Sequence, residues 1–417
     1  MRRLAQTPRP GWQARVEADG FTFHTDGGPA GEEGGSYWNE GAAYAFTPAE
    51  ADAIRDATER LHALCVYAAR HVAARDELLD LFGIPPAWRP FVRASLARSD
   101  PSLYGRLDLS FDGAGPPRLL EYNADTPTTL IESAVVQWRW LADTHPGCDQ
   151  FNTLHERMVA RLRAISPKRE GSRKPQGGFG EFAAVARAER RPGGAPVLHV
   201  SSVDDGGEDR QTARYVEDVA AQAGWEARFV AVAEVGWDAR ERRFVGLAGE
   251  PIRAWFKLYP WEWAAADAFG AHLPEQEDML VLEPAWKMLL SNKALLAVLW
   301  RLFPGHPNLL AASFDEREVD GAHVAKPILS REGANVALRD GVGRTLAETA
   351  GPYGTARRVY QRAAPLFRAE GGAARRAGEL DRGRRGGGDR RARGPQPDHH
   401  QREPGRAAPG RVRLGAT

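Results

Sequence analysis

Cysteine, net charge and long apolar runs are all scarce in this chain. Two cysteines, Cys65 and Cys148, occur in 417 residues, and neither has the spacing of a disulfide framework or a thiolate metal site. Cys65 falls on a helical stripe with Ile54, Leu61, Ala68 and Val72, the position of a core residue. A bilayer-spanning helix needs roughly 20 apolar residues, and the longest helical apolar stretch, Ala294–Trp300, stops far short. The N-terminus (MRRLAQTPRPGW) carries charge without an apolar segment, unlike a secretory signal. These absences predict a soluble protein of a reducing cytoplasm, with no membrane partner.

The charge balance is almost nil as well: 56 Lys and Arg face 55 Asp and Glu, a formal +1. That total hides a division. Residues 371–417 hold 12 Arg, no Lys, five acidic residues and 11 Gly, a local net of +7, while residues 1–370 carry −6. The same tail has three large apolar residues, Leu380, Val412 and Leu414. The body is of another kind. With 42% hydrophobic residues, 12 Trp and 16 Phe over the whole chain, it is neither disordered nor fibrous. Its length suits two to three domains or one multi-lobed enzyme.

Periodicity orders the body. Thr47-Pro48-Ala49-Glu50 forms a capping box with proline in the first turn, predicting a helix to about Val72. Residues 73–104 read as helix and then loop. From Arg106 to Phe111 the period becomes two, a turn follows at Asp112–Pro117, and Arg118–Asn123 reads as a second strand. Helices are predicted from Thr128 to about Leu141 and from Phe151 to Ile165. Residues 167–194 are polar and rich in Gly, Pro and charge, a linker or insertion of mobile composition. Val197–Val203, Gln211–Ala223 and Ala227–Val232 form a β-α-β unit of a parallel sheet. Ile252–Tyr259, Met279–Leu282 and Val324–Ile328 are further strands, and Lys293–Phe303 a helix. The fold class is α/β.

Chemistry concentrates at Arg106-Leu-Asp108 and Glu121-Tyr-Asn123-Ala-Asp125. If the two strands pair, Asp108, Glu121 and Asn123 converge, and two carboxylates with an amide oxygen suit Mg²⁺ partly ligated by phosphates. Arg106 then sets a planar cation where phosphate charge develops. The same spacing also fits a hairpin face with ordinary cross-strand ion pairs. Lys293 opens an apolar helix and Lys326 sits inside the apolar strand Val324–Ile328, where a lysine must snorkel or meet an anion. The donor-rich loop Ser330–Asn335 follows. Edge-strand and helix-end lysines are the plainer alternatives. No Walker loop and no glycine-rich dinucleotide fingerprint is present, which argues against P-loop and nicotinamide-dehydrogenase readings.

Taken together, LEYNADTP after an R-x-D strand, LEPAWKMLLSNKALLAVLWRLFP and AKPILSREGANV resemble the glutathionylspermidine synthase family over about residues 10–370. The likeness is greater to its stand-alone, acid–amine ligase-like members lacking an amidase domain. The resemblance implies an ATP-grasp fold preceded by a Rossmann-like portion, with ATP and Mg²⁺ as cofactors. It implies that Asp108, Glu121 and Asn123 hold Mg²⁺ and that Arg106 contacts the transferring phosphate. Lys293 and Lys326 then bind nucleotide phosphates, Ser330, Gly333 and Asn335 belong to a phosphate-covering lid, and Gln361 lies near adenine. Thr126 and Thr128 match positions that touch a thiol-peptide acid such as glutathione, and Glu208 and Asp209 match acids that receive a polyamine. Acids at a helix N-terminus are also favourable without any ligand. The implied reaction joins a carboxylate to an amine through an acyl phosphate. The alternative is a non-catalytic or degenerate ATP-grasp binding protein.

The tail departs from the family. The resemblance implies three closing elements: a core strand, a Gly-Ile-Gly-x-Arg-Glu strand and a Pro-Ile-Thr-x-Asn-x-Ser-Arg segment. None is visible after Arg368. Back-translating Arg376–Gly405 and reading one base later can restore all three in order, which predicts a one-base frameshift near residues 371–375. As written, residues 371–417 are expected to be irregular or disordered, and the chain weak or inactive as a ligase. A genuine basic tail for nucleic acid ranks behind, because aromatics and lysines are missing from it, and no nucleic-acid partner is expected.

Overall fold

An antiparallel pair, β1 (Arg2–Ala5) and β2 (Ala42–Ala45), opens the chain, with α1 (Trp12–Ala18) between its strands. The structure is a computed structural model, and it describes residues 1–25, 37–166, 194–204 and 207–364 with the backbone of 411–416. Helix α2 (Pro48–Ala73) begins at the predicted capping box: Glu50 N–H donates to Thr47 Oγ1 at 3.3 Å, and Thr47 N–H to Glu50 Oε2 at 2.8 Å. Its predicted stripe is buried, with Cys65 fully enclosed and its thiol pushed up by burial. Short helices α3 (Asp76–Leu81) and α4 (Arg89–Arg98) follow.

The alternating segments form the predicted hairpin, β3 (Gly105–Ser110) and β4 (Arg118–Asn123). Asp112 Oδ1 closes its turn by accepting from Ala114 N–H (2.9 Å) and Gly115 N–H (2.8 Å). Leu107, Leu109 and Leu119 lie fully buried in one core with the apolar faces of α2 and α4. On β3 the two-residue period sets Leu107 and Leu109 against Arg106 and Asp108. On β4 an irregularity in register opposite Asp108 and Leu109 turns Leu119 and Tyr122 inward and leaves Glu121 and Asn123 on the face of Arg106 and Asp108. The helix expected from Thr128 starts later. Thr129 is left-handed (φ 71°), and a π-helical turn, Glu132–Val136, runs into α5 (Gln137–Thr144).

After α6 (Leu154–Ile165), the predicted β-α-β unit appears as β5 (Val197–Ser202), α7 (Glu208–Gln222) and β6 (Glu226–Phe229). A small antiparallel pair, β7 (Gly236–Asp238) and β8 (Arg243–Val245), precedes β9 (Ala254–Leu258), α8 (Trp261–Ala264) and β10 (Leu280–Leu282). Strands β10-β9-β5-β6 form a four-stranded parallel sheet, so the α/β expectation holds. Beyond α9 (Leu295–Leu302) come β11 (Ala312–Ser313), β12 (His323–Pro327), β13 (Ala337–Arg339), β14 (Thr345–Glu348) and β15 (Arg358–Arg362). These make a five-stranded antiparallel sheet in the order β11-β15-β12-β13-β14.

One expectation needs correction. The tail was expected to be irregular throughout, yet β16 (Arg411–Ala416) is a strand, paired antiparallel along the outer edge of β3 with Arg413 opposite Asp108. An open edge of paired-strand backbone has unsatisfied donors and acceptors, which an extended segment completes. Residues 365–410, and the expected linker apart from residue 194, lie outside the described residues. No helix among the described residues is long and apolar enough to cross a membrane.

Candidate active site

The hairpin register puts Asp108 opposite Glu121 and Arg106 opposite Asn123, so the four residues share one face. Asp108 is fully buried, and its Oδ1 accepts from Arg106 Nε at 2.8 Å. Arg106 Nη1 reaches Thr128 Oγ1 at 3.3 Å. Asn123 Nδ2 donates to Glu121 Oε1 at 3.3 Å, and Lys293 Nζ lies 3.4 Å from Glu121 Oε2. Burial works against the Arg106 charge, but Asp108, Glu121 and Glu208 overcome it and hold its pKa above the ordinary value. That pull also fixes where Glu208 sits: within electrostatic reach of Arg106, in the first turn of α7. Asp209, beside it, acts on the Tyr104 hydroxyl, which burial and Glu283 push well above its usual range.

Lys326 is held inward rather than snorkelling to solvent. It is buried on β12, and its ammonium donates to Leu120 O and to Gln361 Oε1, each at 2.8 Å. Gln361, on β15, donates in turn to Leu119 O at 2.9 Å. Lys293 lies just before α9 and donates to Ser330 O, so one ammonium bridges the hairpin carboxylate and the start of the 330–335 loop. In that loop Glu332, Gly333 and Asn335 all have positive φ (53°, 73° and 54°). These reversals close a tight loop in which Ala334 N–H donates to Arg331 O at 2.9 Å and Asn335 N–H to Ala350 O at 3.3 Å. Ser330 Oγ donates back to Pro327 O at 3.2 Å, and Asn335 Oδ1 accepts from Tyr353 N–H at 2.6 Å, so both side chains brace the loop itself.

The donor set fits Mg²⁺. Among the described residues no group of three or more His, Cys, Asp and Glu is placed to hold a metal. Here the set is two carboxylates and one amide oxygen on adjacent strands, which suits an ion that keeps water and phosphate ligands. The cations of Arg106 and Lys293 already balance the two carboxylates, so a further dication is best held when phosphate charge comes with it.

Other site residues went unnoticed in the sequence. Lys257, on β9, is 1% exposed, with Nζ 2.7 Å from Asp125 Oδ1. Lys287 pairs with Glu283 at 2.6 Å, both 1% exposed, and Glu283 Oε1 accepts from Leu103 and Tyr104 N–H at 3.0 Å each. Arg331 reaches Thr126 Oγ1 (2.6 Å) and Glu262 Oε1 (2.7 Å) from the 330–335 loop. A composition signal existed. The chain has six lysines against 50 arginines, and all four described lysines are buried around this hairpin. A chain that builds its surface with arginine keeps lysine where a compact ammonium is needed.

The sequence profile described as glutathionylspermidine synthase preATP-grasp matches residues 3–378. A Haemophilus influenzae protein named "Putative acid–amine ligase" is 37% identical over 344 residues, 81% of this chain and 80% of its own. The Escherichia coli bifunctional glutathionylspermidine synthetase/amidase is 28% identical over 76% of this chain and 51% of its own. Trypanothione synthetase of Crithidia fasciculata is 28% identical over 75% and 48%. The chain thus spans about half the length of the last two. Among solved structures, a glutathione synthetase-like effector of Globodera pallida in its apo form covers 86% of this chain and is itself covered to 82%, at 10% identity and TM-score 0.48. A profile match over nine-tenths of the sequence settles kinship: the chain belongs to the glutathionylspermidine synthase preATP-grasp family.

Proposed function

We propose that this chain binds ATP with Mg²⁺ in an ATP-grasp arrangement and is built to join a small-molecule carboxylic acid to an amine, in the cytoplasm. The observation that carries the reading is the meeting of Arg106, Asp108, Glu121 and Asn123 with the ammonium of Lys293, beside Lys326 on the antiparallel sheet. A carboxylate and an amine do not condense unaided in water. The acid's oxygen attacks the γ-phosphorus of ATP, the bond to the β-phosphate oxygen breaks, and ADP leaves. The amine then attacks the acyl carbon, phosphate departs, and a proton is released from nitrogen. Mg²⁺ supplies charge neutralisation on the phosphates. Arg106 offsets charge on the transferring group, Lys293 and Lys326 hold the nucleotide phosphates, and Gln361 lies on the adenine side. Ser330, Gly333 and Asn335 shape the loop that keeps water from the acyl phosphate.

Thr126 and Thr128 face the acid, a glutathione-like peptide by kinship with the relatives' names, and Glu208 and Asp209 attract a cationic amine such as a polyamine. The body, residues 10–370, is the catalytic region, and residues 371–417 are the product of a shifted reading frame. The profile match, residues 3–378, takes in the whole of that body. With this tail, nucleotide binding is expected and turnover is weak or absent, so strong acid- and amine-dependent ADP release from this polypeptide refutes the second half of that statement. Thermal stabilisation by ATP that requires Mg²⁺ tests the site. It should vanish in the Asp108→Ala, Glu121→Ala double variant, and persistence there sinks the assignment. The DNA sequence across codons 365–417 decides the frame.

A further inference from the structure

Asp125 follows the metal-ligand strand directly and has no part in the chemistry above, yet it is 2% exposed and fastened on every side. Its Oδ1 accepts from Lys257 Nζ at 2.7 Å, and its Oδ2 from Trp261 N–H at 2.8 Å. Its own N–H donates to Ser291 Oγ at 2.6 Å, as does Ala124 N–H at 3.0 Å. Lys257 donates also to Tyr259 O at 2.9 Å and sits 4.2 Å from the centroid of the Trp261 ring. Burial opposes both charges, lowering the Lys257 pKa and raising that of Asp125.

An apolar pair of similar volume often gives equal or greater stability than a buried ion pair, so stability alone is a poor account of this one. What an apolar pair lacks is direction. A carboxylate gripped from two sides fixes the rotation of its backbone, and here the next residues are the ones the site uses. Thr126 Oγ1 accepts from Arg331, and Thr128 Oγ1 from Arg106. We propose that the Lys257–Asp125 pair is a positioning device that pins residues 124–128 to the parallel sheet and thereby holds the guanidinium groups of Arg331 and Arg106 in place. What those guanidiniums do in turn rests on the ligase reading. The pair thus couples β9, in one sheet, to the 330–335 loop that follows β12 in the other.

The test is hydrogen–deuterium exchange on the full chain, without ligand, comparing the parent with the Asp125→Asn, Lys257→Met double variant. The double variant removes both buried charges at near-constant volume, so its melting temperature should stay close to the parent's. Exchange over residues 124–128 and, more tellingly, 329–335 should rise by about tenfold or more. A structural filler predicts parent-like exchange at 329–335, and that result overturns the proposal. Should the double variant melt early, Asp125→Asn alone is compared with the parent, each at a temperature equally far below its own melting point, under the same two outcomes. Failure of the ligase reading shows elsewhere, as loss of Mg²⁺-dependent ATP stabilisation in the parent.

Discussion

Replacing Glu283 by alanine strips a buried ammonium and two backbone amides of their shared acceptor. Glu283 takes hydrogen bonds from Leu103 N–H, Tyr104 N–H and the Lys287 ammonium, which also donates to Tyr104 O. Breaking one partner of a buried pair costs about 3–5 kcal/mol, and each orphaned amide about 1–3 kcal/mol. The ammonium's share has a ceiling. Lys287 escapes by losing its proton, which from an ordinary pKa near 10.4 costs roughly 4.6 kcal/mol at pH 7. A total of at least about 5 kcal/mol is therefore expected. With an unfolding entropy of about 2.1 cal/mol/K per residue, 417 residues give roughly 0.9 kcal/mol/K, so the melting temperature falls by at least about 6 °C.

The pH dependence carries the sharper test. Burial depresses the Lys287 pKa while Glu283 raises it, so removing Glu283 depresses it further. The unfolded chain then binds more protons than the folded one across the interval between the two pKa values, and stability rises with pH there. The variant's deficit should be largest near pH 7 and shrink toward pH 9.5, because the parent's Lys287, depressed less, gains less over the same interval. Urea melts of parent and variant at both pH values measure it. A deficit that stays constant with pH, or one below about 1 kcal/mol throughout, refutes the reasoning.

Two further outcomes follow from other parts of the structure. Lys326→Met removes a charged donor that the proposed function assigns to phosphate, so calorimetric affinity for a non-hydrolysable ATP analogue with Mg²⁺ should fall by about 10- to 100-fold; an unchanged affinity removes Lys326 from the site. Thr47→Ala breaks the capping box of the 26-residue helix α2 and should cost about 1 kcal/mol by urea melt, and no measurable loss means that the Met1 ammonium paired with Glu50 holds that end unaided.

The hairpin was legible because strict alternation over Arg106–Phe111 separates leucines from charges, and because the register needs only a short turn. Lys326 was legible for a similar reason, since a charge inside an apolar strand demands a partner. By that logic Lys257, in the apolar run Ile252–Tyr259, deserved equal notice. Its partner, however, lies 132 residues away on another element. Glu283 and Lys287 read as an ordinary i,i+4 pair, and their partners at Leu103 and Tyr104 lie 179 to 183 residues back in the chain. Long-range closure leaves no local period. Strands β13 and β14 also escaped, being short, partly exposed and broken in register by an irregularity at Leu338 and Arg339. The late start of the helix after β4 turns on the left-handed Thr129, a conformation that threonine does not advertise. The tail strand β16 (Arg-Val-Arg-Leu-Gly-Ala) escaped because its alternation spans only four residues and sits in a stretch rich in Arg, Gly and Pro.

The burial of every described lysine has a practical consequence for watching this protein work. Amine-directed acylating reagents need a solvated, deprotonated nitrogen, and Lys257, Lys287, Lys293 and Lys326 all withhold theirs. A label at any of them therefore records an opening of the native structure around the hairpin. The chain carries four built-in reporters, two of them at the ion pairs and two where nucleotide is expected. Mapped by mass, their separate labelling rates give a readout of which wall of the site opens first.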